Sequence, residues 1–350
     1  MHWPQRSEDV IPTGLRHRGP ASATAAPPTR GAKPIVRGRV AVNPSSKATK
    51  LPAWSRAAPV ALEDQAPIDD TIAAVVRACR DHWQKNVAAA IDGRDPEGVH
   101  QVRVGLRRLR SALGLFKRHI HAAQRASLAQ EAKWLLSELG QVRDLDVFIN
   151  VLAADFTPRV AEGEGFAQLI RSARLQRDAA QLSAVRALSS VRADRFAARL
   201  NTWLQGRGWR SDEAGEDAAH FARHAINRRL RKIRGAAEGI AKLPVPERHE
   251  LRIAVKKARY GIEFFHDLLP AKRAARWAGA LKHVQDSLGH MNDLDVAERT
   301  IEKLVGPDAT ADRKLAAAAR TVRRQHKKAA RDAEPEIRKQ CRRLTRIALF

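Results

Sequence analysis

Cysteine is almost absent. Cys79 and Cys341 are the only two in 350 residues, too few and too distant for a disulfide framework or a cysteine-based metal site. Cys79 falls on the apolar face of an expected helix and reads as a buried thiol. Aromatic residues make up 5% of the chain, with Tyr260 the single tyrosine. That leaves little for the stacking platform that single-stranded nucleic acid uses. Trp83, Trp134, Trp203 and Trp277 lie in apolar helical patterns and are expected in the core. No apolar run approaches the ~18 residues of a membrane span, and the N-terminus lacks the compact apolar stretch of a secretory signal. The expected location is the cytoplasm. Alternating β-branched and aromatic runs are missing, which removes the strand signal. No His-Glu-x-x-His, Walker-type glycine loop or activated Ser or Cys constellation occurs. No catalytic residue, metal site or cofactor is therefore expected.

Acids are scarce as well. The chain carries 64 Lys plus Arg against 38 Asp plus Glu, a formal net charge of +26 and a pI near 11.2. Such an excess repels itself and creates a strong surface potential. The expected partner is strongly negative: nucleic acid, an anionic membrane surface or inorganic polyphosphate. Composition alone does not choose.

Residues 1 to about 67 hold ten of the 17 prolines, among Gly, Ala, Ser and Thr. Apolar periodicity is absent there, so a disordered basic tail is expected, which could also serve as an accessory polyanion-binding arm. From Pro67 the pattern turns helical, with apolar residues at three- and four-residue spacing. Turn signals at 92–96, Gly140, Pro158, 206–208, 244–246, Pro270, Gly289 and 306–307 divide it into about ten helices.

An internal repeat sets the layout. The segment Val99 to Arg110 matches Arg248 to Arg259 at an offset of 149 residues. Leu139-Gly140-Gln141-Val142-Arg143-Asp144-Leu145-Asp146-Val147 matches Leu288 to Val296 at the same offset, identical at six of nine positions. Repeat one is placed at 68–210 and repeat two at 216–348. The expected fold class is all-α: two four-helix bundles related by an internal pseudo-twofold, behind the tail.

On a helical wheel His100, Arg103, Arg107 and Arg110 fall within an arc of about 80°. Val102, Leu106, Leu109 and Leu113 form an apolar stripe beside them. In the second copy His249, Arg252, Lys256 and Arg259 repeat the basic row, beside Leu251, Val255, Ala258 and Ile262. Arg108 and Lys257 fall away from both stripes and read as surface charges. No Asp or Glu occurs in residues 99–130 to neutralise the first row. A bound anion would do so, and Arg suits phosphate oxygens because its planar fork keeps its charge. Further cations recur at the same offset: Arg80 with Arg229, Lys133 with Lys282, Arg171 with Arg320, and Arg174 with Arg323. Asp144, Asp146, Asp293 and Asp295 follow Leu-Gly and read as N-terminal residues of new helices.

The His-x-x-Arg-Val-x-x-Arg-Arg-Leu-Arg helix, followed by Leu-Gly-x-x-Arg-Asp-Leu-Asp-Val and given twice, resembles the CHAD domain (conserved histidine α-helical domain) over about residues 67–348. The resemblance implies two helical bundles, no catalysis, and binding of inorganic polyphosphate in a basic central cavity, with recruitment to polyphosphate granules and contact with granule proteins. It points to His100, Arg103, Arg107, Arg110, His249, Arg252, Lys256 and Arg259, with Arg143 in the Asp-Leu-Asp segment. Asn292 replaces Arg143 in the second copy. The Glu-x-Glu-x-Lys strand of the triphosphate-handling CYTH domain, which many relatives carry, does not occur in residues 1–67. Two alternatives remain open: a nucleic-acid-binding protein, and a metal-dependent phosphohydrolase or metal chelator.

Overall fold

The computed structural model describes residues 52–63, 66–155, 163–209, 217–305 and 313–350. Eleven α-helices occur among them, with two single-turn 3-10 segments. They are α1 (Ile68–Lys85), α2 (Val87–Asp92), α3 (Pro96–Leu115), α4 (Ala122–Glu138), α5 (Gly140–Asp155), α6 (Glu164–Leu188) and α7 (Val191–Gln205), then α8 (Ala218–Glu238), α9 (Val245–Phe264), α10 (Ala271–Val305) and α11 (Arg313–Thr345). The described residues form no named strand, and none of their helices is long and apolar enough to cross a membrane. The all-α expectation holds.

Local chemistry accounts for the boundaries. Asp95 caps α3 by accepting from the Glu97 N–H at 2.8 Å, and Pro96 occupies the first turn, where its missing donor costs nothing. Asp217 caps α8 by accepting from Ala219 N and His220 N. Asn86 separates α1 from α2; its side chain donates to His82 O at 2.7 Å and to Ser55 O at 3.0 Å.

The 149-residue offset read from the motifs reappears in the coordinates: α3 and α9, α4 and α10, and α6 and α11 each begin that far apart. Across the two halves α1 meets α8, α3 meets α9, α5 meets α10 and α6 meets α11. Each pairing joins an element to the one 149 residues away in sequence. Gly165 lies on this seam. A Cβ there would stand 2.2 Å from the carbonyl oxygen of Lys314, its own counterpart in the second half. A buried apolar core runs through both halves, with Phe116 and Phe221 stacked and Phe265 edge-on to both, from α3, α8 and α9 and their ends. Trp83, Trp203 and Trp277 are buried as expected; Trp134 is only partly so, under the Arg192 guanidinium.

Three expectations need correction. Gly289 does not break the chain: it lies inside α10, whereas its counterpart Gly140 begins a new helix. Asp144, Asp146, Asp293 and Asp295 consequently lie inside helices and cap none. Residues 52–63, expected within the tail, run as an extended strap. Trp54 Nε1 donates to Asp95 at 2.7 Å, Ser55 N to Asn86 at 2.8 Å, and Leu62 N to Asp267 at 3.1 Å, while Val60 is buried. Residues 1–51 and 64–65, and the turns expected at Pro158 and 306–307, lie outside the described residues.

Candidate functional site

The site grows from α3. Its apolar stripe of Val102, Leu106, Leu109 and Leu113 is fully buried. That fixes the helix about its axis and leaves His100, Arg103 and Arg107 half-buried on the neighbouring face. α9 repeats the arrangement with Leu251, Val255 and Ala258 buried and Arg252 and Lys256 half-buried beside them. α3 and α9 are in contact, so the two rows meet.

The electrostatic couplings show how closely. Burial, then Arg143, Arg107, Arg103 and Lys256, hold the His100 imidazole down to about 3, so it is neutral at pH 7. Burial, then Arg252 and Arg107, bring the Lys256 ammonium down to about 7, against an opposing pull from Asp293. Burial lowers Arg252, with Asp293 opposing it and Arg107 adding to it. Arg103 falls to about 10 through burial, Arg107 and Arg143, and stays charged at neutral pH. Residues of both copies thus act on one another: His100, Arg103, Arg107 and Arg143 from the first, Arg252 and Lys256 from the second. His249 joins the rim, exposed, lowered by burial, Arg252, Arg299 and Lys256.

This cluster has unfilled hydrogen-bonding capacity. His100 Nδ1, Arg103 Nε, Arg107 Nε and Arg252 Nε are buried without a partner among the described residues. Buried donors without acceptors are costly unless something fills them. A ligand rich in anionic oxygens would satisfy the guanidinium donors and neutralise their charge together. Arg103 has a second task, since its Nη1 donates to Leu136 O at the end of α4, where carbonyls lack helical partners.

The remaining expected residues divide. Arg110 is exposed and acts on Lys257 together with Arg229 and Lys232, a second basic group beyond the first. Burial lowers Arg229 to about 10. Arg259 is bound to Glu263 at 3.1 Å, and Arg80 to Asp81 at 2.7 Å and Asn201 at 3.1 Å. Arg323 faces Glu302 at 3.7 Å. Arg174 lines a cavity of about 420 Å³ with Asp92, Asp146 and Arg177. Lys133, Lys282, Arg171 and Arg320 are exposed, and no hydrogen bond or ion pair among the described residues ties them to the central cluster.

The expectation for Arg108 was wrong. It is buried at 4% exposure, ion-paired to Glu263 and lying over the Tyr260 and Phe264 rings. A wheel drawn for α3 alone could not include α9, which covers that side. Arg299 and Lys303 were missed. Both act on Asp144, and Arg299 also on His249 and Asp295. A search for cations present in both copies passes over Arg299, because its counterpart is Asn150.

The depressed Lys256 has a testable consequence. The unfolded chain holds that proton up to the ordinary 10.5, while the folded protein releases it near 7. Between those values the unfolded state binds more protons, so stability of the free protein rises with pH. Melting temperature measured from pH ~6.5 to ~9 is expected to rise more for wild type than for Lys256→Met. Parallel profiles would contradict this.

Two copies of an all-α unit, meeting at a cluster of cations, define a duplicated basic helical domain. A family model described as the CHAD domain matches residues 74–302, and the chain belongs to that family. A crystal structure of the CHAD domain from the plant Ricinus communis is similar at 32% identity, covering 83% of this chain and 96% of that one, with a TM-score of 0.71. PptA from Streptomyces chartreusis is similar in fold at 16% identity, covering 79% of this chain and 100% of that one, with a TM-score of 0.62. No curated protein matches.

Proposed function

We propose that the protein binds inorganic polyphosphate at the cluster where the two copies meet, without catalysis, in the cytoplasm and at polyphosphate granules with their proteins. The observation that carries this is the convergence of unpartnered guanidinium donors from Arg103, Arg107 and Arg252. Membership of the CHAD family supports polyphosphate as the anion. A flexible chain of phosphates can follow a row whose successive cations rise about 5 Å apart along a helix. Asp144, Asp293 and Asp295 border the cluster and would repel an anion that strayed from the guanidinium groups.

Affinity is expected to fall steeply with salt, because cations that meet phosphates release condensed counterions. About five engaged cations give a slope near −3.5 in log K against log salt, using the single-strand coefficient. Titration at several salt concentrations checks this, and a slope near zero would contradict an electrostatic site. Competition with duplex DNA at equal phosphate concentration tests the nucleic-acid alternative; DNA displacing labelled polyphosphate would favour it. Phosphate release with Mg²⁺ or Mn²⁺ tests the hydrolase alternative, and none is expected.

A further inference from the structure

The cavity of about 420 Å³ in the first copy lies between α5, α6 and the turn from α2 to α3, and its size is ordinary for a small-molecule site. None of the residues lining it belongs to the central cluster. Part of its wall is a knot of hydrogen bonds. Arg177 donates from Nε to Asp146 Oδ1 at 3.0 Å and from Nη2 to Gly93 O at 2.8 Å. One turn later on α6, Gln181 donates from Nε2 to Ala90 O at 2.7 Å. Gly93 turns the chain at φ +68°, and a Cβ there would stand 2.4 Å from that Nε2. The donors of the knot are thus engaged, but two acceptors are not. Asp146 Oδ2 and Gln181 Oε1 are buried without a partner among the described residues, and the Asp146 side chain is only 3% exposed. Such oxygens call for a donor. The second copy does not repeat the knot: Lys242, His326 and Ala330 stand at the positions of Gly93, Arg177 and Gln181. A task shared by both copies therefore does not account for it.

We propose that this cavity binds a free guanine nucleotide, with the N1–H and 2-amino edge of the base on Asp146 Oδ2 and Gln181 Oε1 and the phosphate on Arg174. Charge narrows the ligand first. Asp92 is paired with Arg94 and Asp146 with Arg177, which leaves exposed Arg174 as the one lining cation without an ion pair among the described residues. The two free acceptors therefore need hydrogens rather than a countercharge, so neutral N–H groups suit them better than an ammonium. The opposite end of the ligand is an anion, which Arg174 meets as a phosphate. Hydrogen-bond order then selects the base. Guanine sets two donors side by side on its pairing edge. Adenine and cytosine set an acceptor beside their amino group, and uracil flanks its single N–H with two carbonyls. Each of these would turn an acceptor toward an acceptor. Pro96 and Ile149 supply apolar wall for the ring.

The test is calorimetry on the full chain with GMP, IMP, AMP and guanosine. GMP is expected to bind about tenfold more tightly than IMP, which lacks the 2-amino group and so one hydrogen bond, and about a hundredfold more tightly than AMP. Arg174→Glu, at an exposed position, should weaken GMP about tenfold and leave guanosine unchanged. Nucleotides can also meet the central cluster through phosphate alone, but that binding does not distinguish bases. The guanine preference should therefore survive in Arg107→Glu/Arg252→Glu. Equal affinity for GMP, IMP and AMP, or no binding of any of them at millimolar concentration, would overturn the proposal. So would a preference lost with Arg107 and Arg252 yet indifferent to Arg174.

Discussion

Replacing Arg107 and Arg252 together by glutamate is expected to lower polyphosphate affinity by about a thousandfold. Each arginine would donate at least one charge-assisted hydrogen bond to phosphate, worth about 2 kcal/mol. Two such losses come to about 4 kcal/mol, or roughly three powers of ten in Kd. These two positions give a cleaner test than Arg103, whose bond to Leu136 O also closes the end of α4. Reversal here should not unfold the protein. Arg107 and Arg252 repel one another and Lys256 in the free state, so the reversal relieves that contact, while at position 252 it exchanges an attraction to Asp293 for a repulsion. The relieved and the new repulsions oppose one another, so the melting temperature is expected to change little while binding collapses. Titration calorimetry and thermal melts on the same samples separate the two effects. Unchanged affinity in a folded variant would remove the cluster from the account.

The second large effect is structural. Gly105→Ala is expected to destabilise the protein by about 2 kcal/mol, the ordinary range for forcing extra volume into a packed contact. A Cβ at 105 would lie 2.7 Å from the backbone N of Trp83 and 2.9 Å from its Cα, where α3 crosses α1. Backbone cannot swing aside as a flexible side chain can, so the two helices must separate. Gly114→Ala on the same helix is the control, since nothing lies within 4 Å of its Cβ. There the gain in helix propensity should stabilise by about 0.5–1 kcal/mol. Urea denaturation of both variants decides the matter; equal effects of one sign would mean that the crossing tolerates more space than its geometry shows.

Gly105 also marks what the sequence could not reveal. Its counterpart is Ala254, so the repeat gives no hint that one copy needs a bare backbone there. Periodicity within one helix and similarity between copies were enough for the helical class, the offset and the rows on α3 and α9. Features that depend on a second helix were not legible. Arg108 is polar on the wheel of α3, yet α9 buries it against Glu263, Tyr260 and Phe264. Arg259 belongs to the row by spacing, but Glu263 one turn later claims it. The Asp-Leu-Asp segments look like helix starts because Leu-Gly precedes them. In the fold Asp146 lies inside α5, accepting from Arg177 at 3.0 Å, and Asp144 is open to solvent among Arg103, Arg299 and Lys303. The strap at 52–63 reads as tail because prolines dominate it, and only the partners Asp95, Asn86 and Asp267 show what its N–H groups find.

The central claim is that the two rows make one site rather than two. Its most direct measurement is the stoichiometry of a short polyphosphate of about ten phosphates, followed by calorimetry with wild type, Arg107→Glu and Arg252→Glu. At about 3 Å of extended chain per phosphate, such a ligand is long enough to touch both rows, each about three helical turns in length. One chain per protein is expected, and either single reversal should weaken that same event. Two chains per protein, with each reversal abolishing one and sparing the other, would contradict the account.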